Sequence, residues 1–411
     1  MDNGLVNILY IGSTKLVALR GRLGQEGGIH LESFCRCPAI GFKDGAVSDL
    51  DRAHQQLQVL LRNFFSSEEA LRSNFYVIMS SPSLRGYFFN SSIYFGETSR
   101  MVSQNDVLRV VGQTRTVATI PLDEMIIHTI SQEYIVNDVA GIKNPVGMDG
   151  RRLGVTLLLF AVKLSVLKNL QKLLEKENLV YDRFIPRSVA SSYAVLKEHE
   201  RHDGVCLIDI GGNTTDVLYY KNDDILVTRT LNCGGETITQ HLVEQLSISA
   251  REAKKLKEKF GSCRVEDIDE ERIPVHDAFG SVRTHIRRKE LCDSVRAGAE
   301  MWMSQVNPIV EEIKKDYKQL NTIVITGGGA TLDGLLEYTQ EMWSGLEVRL
   351  GLVQKIHGPQ EVVLGSAQYS ACLGLLTAEY HRRQAESQIF NAKGLIAKTI
   401  HHAREWIEEY F

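Results

Sequence analysis

Residues Leu207 to Tyr220, LIDIGGNTTDVLYY, constrain the fold more than any other stretch: an apolar strand ending in an acid, a glycine pair, a hydroxyl-rich turn, a second acid and a returning strand. Cys206, Leu207, Ile208 and Ile210 form a buried-strand run. Gly211 and Gly212 carry no Cβ, so the backbone there can approach an anion closely and aim successive N–H groups at it. Asn213, Thr214 and Thr215 add neutral donors, and Asp209, at the strand's end, suits a hydrated magnesium ion bridging phosphates. Asp216 reads as ordering the turn. An ordinary tight hairpin has the same pattern, so one copy decides little.

A second copy lies near the start, in NILYIGSTKLVALRGRLG, where YIGSTKLVAL superposes on DIGGNTTDVL without a gap. Its turn residues Gly12, Ser13, Thr14 and Lys15 join the candidate phosphate site. Two such hairpins, roughly two hundred residues apart, predict two similar lobes closing on one nucleotide from opposite sides. A third turn supports this. In NTIVITGGGATLDGLL a buried strand runs into Gly327, Gly328 and Gly329 and then a helix start, as where backbone passes against a nucleotide's sugar or base.

With 411 residues the chain is long enough for two to four domains. A net charge of -4 gives no general reason to expect nucleic acid, so partners must be sought locally. No basic segment followed by an apolar run opens the chain, so no signal peptide is expected, and no stretch reaches the length of a spanning helix. The seven cysteines are scattered, as in a reduced cytosolic chain. Cys35 and Cys37 stand too close, with no second pair, for a usual zinc knuckle.

In order, the pattern predicts a strand over Ile29 to Cys37, a helix capped by Ser48 or Asp49 and running to Phe64, and a strand over Phe75 to Met79. Pro82 to Val162 reads as an inserted α+β module, with strands near Gly86 to Phe95, Glu124 to Val136 and Arg152 to Val162, and a helix opening at Ser103. Helices over Lys163 to Leu174 and Ser188 to Leu196 precede the main hairpin. Helices over Thr237 to Leu246 and Ala250 to Phe260 follow it. The second is strongly basic, and Lys257 is its candidate for reaching a nucleotide. Gly261 to Lys289 reads as another insertion whose basic group includes Arg283, Arg287 and Arg288. Such an edge either binds an acidic peptide or discourages sheet aggregation. Glu290 to Tyr317 reads as a long helix interrupted near Pro308, and Gly365 to Tyr380 as a small-residue helix beneath the nucleotide site.

Past Tyr380 a polar linker, HRRQAESQ, leads to NAKGLIAKTIHHAREWIEEYF. On a helical wheel Leu395, Ile396, Ile400, Ala403, Trp406, Ile407, Tyr410 and Phe411 fall in one arc of about 160°, with charged residues opposite. A core helix can show this stripe, but after a polar linker at the chain's end it reads as a membrane-surface helix. One such tail binds weakly, so self-association into a polymer belongs to the expected mechanism.

The two hairpins, the GGGA turn and the inserted module resemble the actin, sugar-kinase and heat-shock-chaperone superfamily, an α/β, ribonuclease H-like two-lobed ATPase fold. SQEYIVNDVAGIKNPVGMDGRRL, SVASSYAVL and the amphipathic tail are more closely similar to the FtsA family of bacterial division proteins. The resemblance implies subdomain 1A over 1–81 and 163–204, the inserted subdomain 1C over 82–162, subdomain 2A over 205–260 leading into 2B, and 321–380 as the second part of 2A with the return to 1A. It further implies 2B over 261–320, a linker over 381–394 and a membrane-targeting helix over 395–411. It also implies ATP with Mg2+, filaments on the cytoplasmic face of the inner membrane at the division site, other division proteins as partners, and capture of the FtsZ C-terminal peptide by 2B near Ser281 to Glu300. Three departures matter: Tyr10 stands where the superfamily usually places an acid, Arg187 near a usual water-positioning residue, and Lys254 at an acidic adenosine-contact position. They lead us to expect a nucleotide-driven structural switch with hydrolysis weak or absent. The competing expectations are a small-molecule kinase of the same fold and the actin-like component of type IV pilus assembly.

Overall fold

The computed structural model describes residues 4–24, 28–65, 74–264, 266, 271–277, 279–353, 356–358 and 366–392, with side chains as far as Gln384. Two sheets built to one plan form the lobes. The first runs in the order Tyr181–Pro186, Phe75–Met79, Leu5–Ile11, Lys15–Gly24, Gly28–Pro38 and Ile356–His357. The second runs Glu347–Leu350, Thr322–Thr326, Val205–Ile210, Thr215–Lys221 and Asp224–Leu231. In each, the strand that opens the glycine hairpin is antiparallel to its return and parallel to the strand on its other side. Ile11 faces Leu16 across the first hairpin just as Ile210 faces Thr215 across the second. The superposition seen in sequence therefore holds residue for residue, and Tyr10 occupies the place of Asp209.

Strand alternation gives each sheet two apolar faces. In the first lobe Leu9, Ile11 and Ala18 pack on the helices Leu50–Phe64 and Leu164–Lys176, and Ile8, Val17 and Leu19 on Leu373 and Leu376 of the helix Ser370–Ala392. In the second, Cys206, Ile208 and Val217 meet the helices Gly235–Leu246 and Arg288–Tyr317. The opposite face, Val205, Leu207 and Leu218, meets Val189 and Val195 of the helix Arg187–Val195. That helix joins the lobes, because its Ala190 belongs to the first core. Its small residues permit the approach: a Cβ on Gly374 of the neighbouring helix would stand 2.0 Å from the Ala190 carbonyl.

The inserted module is a four-stranded antiparallel sheet, Val139–Ile142, Glu124–Val136, Arg152–Lys163 and Arg85–Tyr94, with one helix, Gln104–Val117, on its outer face. Ser103 and Asp106 form a capping box at the start of that helix. Leu158 and Phe160 from its inner face enter the second lobe's core. Gln132 Oε1 accepts from Ile225 N–H at 2.7 Å, and Lys143 pairs with Asp224 at 2.6 Å. In the second insertion the hairpin Arg272–His276 and Val282–Arg287 buries Ile273 and Val275 against Leu291 and Val295.

Two readings from sequence need correction. The helix Arg288–Tyr317 is continuous through Pro308. Pro308 and Ser304 are both exposed, so the carbonyl that loses its helical partner meets water, while Val306, Ile309 and Val310 hold the helix to the core. The stretch HRRQAESQ continues the helix Ser370–Ala392, because Arg, Gln and Glu, though polar, and Ala are good helix formers. The tail residues Leu395, Ile396, Ile400, Trp406, Ile407, Tyr410 and Phe411 lie outside the described residues.

Candidate functional site

The two hairpins and the Gly327 turn open on one cleft of about 910 Å³ between the lobes, at the upper end of the range for small-molecule and cofactor sites. A Cβ on Gly212 would stand 2.4 Å from Thr14 Cγ2, so the hairpins of the two lobes touch only because this residue is glycine. Gly327 adopts φ +87°, and its missing Cβ would fall 2.5 Å from Asp209 Oδ1. Among the described residues, seven lysines and arginines line the cleft against four aspartates and glutamates, an excess suited to a polyanion.

Lys15 sits at the mouth of the first turn. Its Nζ donates to the Gln368 carbonyl at 3.1 Å and lies 4.7 Å from the centre of the Tyr369 ring. Burial lowers its pKa to about 7; Arg36 and Arg187 push the same way, against Cys372 and Asp209. Lys257 donates to the Gly235 carbonyl at 2.6 Å and Thr239 Oγ1 at 2.8 Å, tying the basic helix Ala250–Phe260 to the first turn of Gly235–Leu246. Burial lowers its pKa as well.

The floor of the cleft is an ion cluster that no local pattern announces. Arg187, first residue of the lobe-joining helix, is 4% exposed. Its Nη2 lies 2.6 Å from Asp216 Oδ2, and its Nε 3.3 Å from Asp209 Oδ1. Nη2 also donates to the backbone carbonyls of Asp209 at 2.9 Å and Thr214 at 3.2 Å. Burial opposes the guanidinium's charge, but Asp209, Asp216 and a hydrogen bond with Tyr10 outweigh it and raise its pKa. Ser80 and Thr230 hydroxyls complete the shell of Asp216, at 3.1 and 2.7 Å. The Tyr10 phenol lies over the first turn, where a Cβ on Gly12 would meet its hydroxyl at 2.7 Å.

A hydrated magnesium ion does not fit this arrangement. The Asp209 carboxylate is 1% exposed, with Arg187 on one side and the Gly327 backbone on another. Tyr10 supplies no charge where a second acid would help. Among the described residues no group of three His, Cys, Asp or Glu side chains is placed to hold a metal.

Of the nucleotide residues read from sequence, Thr14, Lys15, Asp209, Gly211, Gly212, Lys257, Gly327, Gly328 and Gly329 line the cleft together. Gly12, Ser13, Asn213, Thr214 and Thr215 do not. The side chains of the last three are engaged elsewhere: Asn213 Nδ2 donates to Asp44 at 2.7 Å, Thr214 Oγ1 meets Ser80 Oγ at 3.0 Å, and Thr215 Oγ1 donates to the Cys233 carbonyl at 2.8 Å. Sequence reasoning missed Arg36, Gln368 and Tyr369, which close the first lobe's side of the cleft, Arg36 donating to the Tyr369 hydroxyl at 2.6 Å. The basic group of the second insertion is divided. Arg283 and Arg287 lie on the exposed hairpin strand, whereas Arg288 opens the long helix and lines the cleft.

A family model described as "Cell division protein FtsA" matches residues 206–374, and one described as "SHS2 domain inserted in FTSA" matches 85–161; together they span more than half of the chain. The chain belongs to the FtsA family. A cell division protein FtsA of Neisseria meningitidis serogroup B is 27% identical over 417 residues, covering 99% of this chain and 98% of its own. Two solved structures share the fold. A PilM–PilN type IV pilus biogenesis complex aligns with a TM-score of 0.64 at 13% identity, over 92% of this chain and 98% of its own. MreB 5 of Spiroplasma citri bound to AMPPNP aligns with 0.53 at 12%, over 95% of this chain and 100% of its own. The fold is thus the actin-like, two-lobed one with the FtsA insertion, and family membership gives the chain a division role. Neither the pilus nor the kinase alternative is favoured by it. No described helix is long and apolar enough to cross a membrane.

Proposed function

We propose that this FtsA-family chain binds ATP between its lobes, self-associates on the cytoplasmic face of the inner membrane through the helix expected at 395–411, and tethers FtsZ filaments there. The observation that carries the reading is the cleft itself: two equivalent glycine hairpins meet at Gly212 and Thr14 over a lining rich in cations. A triphosphate bound there touches both lobes and favours their closed arrangement, which couples nucleotide to polymer contacts. AMPPNP in the MreB 5 neighbour supports the choice of nucleotide. With Tyr10 in the place of an acid and Arg187 set between Asp209 and Asp216 at the floor, hydrolysis is slow or absent. The FtsZ peptide docks on the second insertion, where Arg283 and Arg287 stand exposed on the hairpin strand.

The test is co-sedimentation with liposomes of the intact chain, of Trp406→Glu and of a chain lacking residues 391–411, with a labelled acidic FtsZ C-terminal peptide. The peptide should pellet with the intact chain, more so with ATP, and stay in solution with either variant. Equal pelleting by all three chains contradicts the membrane reading. Peptide capture unchanged in Arg283→Glu with Arg287→Glu contradicts the docking site.

A further inference from the structure

A carboxylate at the end of a strand beside a phosphate turn suits a hydrated divalent cation; here Asp209 and Asp216 already have a cation beside them. Arg187 joins Asp209 and Asp216, which face each other across the second hairpin. The guanidinium is held at fixed orientation by two backbone carbonyls and by Tyr10, the residue that replaces an acid in the first hairpin. A Cβ on Gly211 would stand 2.0 Å from Arg187 Nη1, so the side chain lies directly against the phosphate turn. An arginine cannot be deprotonated and presents planar, directional donors, so it keeps a permanent cation between the two carboxylates beside that turn. The two changes act together: an acid at position 10 would add to the charge that Arg187 neutralises, whereas the phenol accepts or donates a hydrogen bond without adding any.

We propose that Arg187 is a built-in substitute for the divalent cation, so that the cleft takes its nucleoside triphosphate without a metal ion held by the protein. The inference rests on the nucleotide reading above. Arg187 takes the cation's place against Asp209 and Asp216, and the charge that Mg2+ otherwise offsets on the phosphates is met by Lys15 and the remaining cations of the lining. Because the guanidinium occupies the floor between Asp209 and Asp216, at 3.3 and 2.6 Å, a metal ion seated there would have to displace a buried cation, although Arg187 Nε and both Asp209 carboxylate oxygens make no hydrogen bond among the described residues.

The experiment is calorimetric titration of the intact chain with ATP in magnesium buffer and in EDTA. In parallel, the free Mn2+ signal is followed by electron paramagnetic resonance as protein is added to Mn2+ and ATP. The expected result is an ATP affinity that changes by less than about threefold between the two buffers, and no Mn2+ uptake beyond that of ATP alone. Arg187→Ala, and Arg187→Ala with Tyr10→Glu, should create magnesium dependence and Mn2+ uptake, because Asp209 and Asp216 lose their resident cation. Tighter binding of ATP by the intact chain in magnesium, by about tenfold or more, overturns the proposal and leaves the nucleotide reading standing. No ATP binding in either buffer overturns both. If Arg187→Ala folds and binds ATP with the same indifference to magnesium, Arg187 is not the substitute. If it does not fold, the two measurements on the intact chain decide.

Discussion

Lys15 gives the cleft a pH dependence whose sign and size follow from its burial. Its pKa in the free cleft is about 7, held there by desolvation first. An exposed lysine titrates near 10.4. A phosphate seated against Nζ favours the ammonium and returns the pKa toward that value. At pH 8 about nine-tenths of the free cleft therefore carries neutral Lys15, and nucleotide binding takes up about 0.9 proton; at pH 6 it takes up about 0.1. Affinity should be flat below pH 7 and fall about tenfold per pH unit above it. The assay is calorimetry at pH 8 in buffers of different ionisation enthalpy, where the slope of observed enthalpy reports the protons taken up. Lys15→Met should bind more weakly and show a slope near zero. A slope near zero for the intact chain at pH 8, or the same slope in Lys15→Met, refutes the reasoning. Without nucleotide the same shift makes the folded chain more stable as pH rises from 7 toward the unfolded value, because the unfolded state binds the extra proton over that window.

Other substitutions test the packing around the cleft. Arg187→Met leaves two buried carboxylates without their cation and should lower stability by about 3–5 kcal/mol in urea denaturation, whereas adding Asp209→Asn and Asp216→Asn should recover most of the loss. Gly212→Val puts a Cβ 2.4 Å from Thr14 Cγ2; calorimetry should show ATP binding abolished, with far-ultraviolet circular dichroism unchanged. Gly374→Leu drives a side chain into the Ala190 carbonyl and should cost about 1–3 kcal/mol, read as a lowered thermal midpoint.

The lobes were legible because each hairpin writes its strand alternation and its glycine turn locally, and because the two copies superpose without a gap. Asp49 accepting from Arg52 N–H and the Ser103 box were legible for the same reason, since a cap and its partner lie three residues apart. The cleft floor was not. Arg187 meets the carbonyls of Asp209 and Thr214 from 22 and 27 residues away, and Arg36 meets Tyr369 across 333. No periodicity carries such pairings; only the packing of the lobe-joining helix between two sheets brings them together. Asp216 illustrates the difference. Its place opposite Asp209 in the hairpin was readable, but its role as the closest anion to Arg187 was not. Thr214 and Thr215 looked like phosphate donors because hydroxyls suit that work, yet Thr214 Oγ1 meets Ser80 Oγ of the other lobe and Thr215 bonds within its own, where Trp302 Nε1 reaches its Oγ1 at 2.9 Å.

The central claim is that nucleotide in the inter-lobe cleft drives assembly on a membrane. Electron microscopy of the intact chain on lipid monolayers, with ATP, without nucleotide, and with ATP added to Gly212→Val, tests it most directly. The account predicts filaments only for the intact chain with ATP. Filaments of equal abundance without nucleotide, or with Gly212→Val, would contradict it.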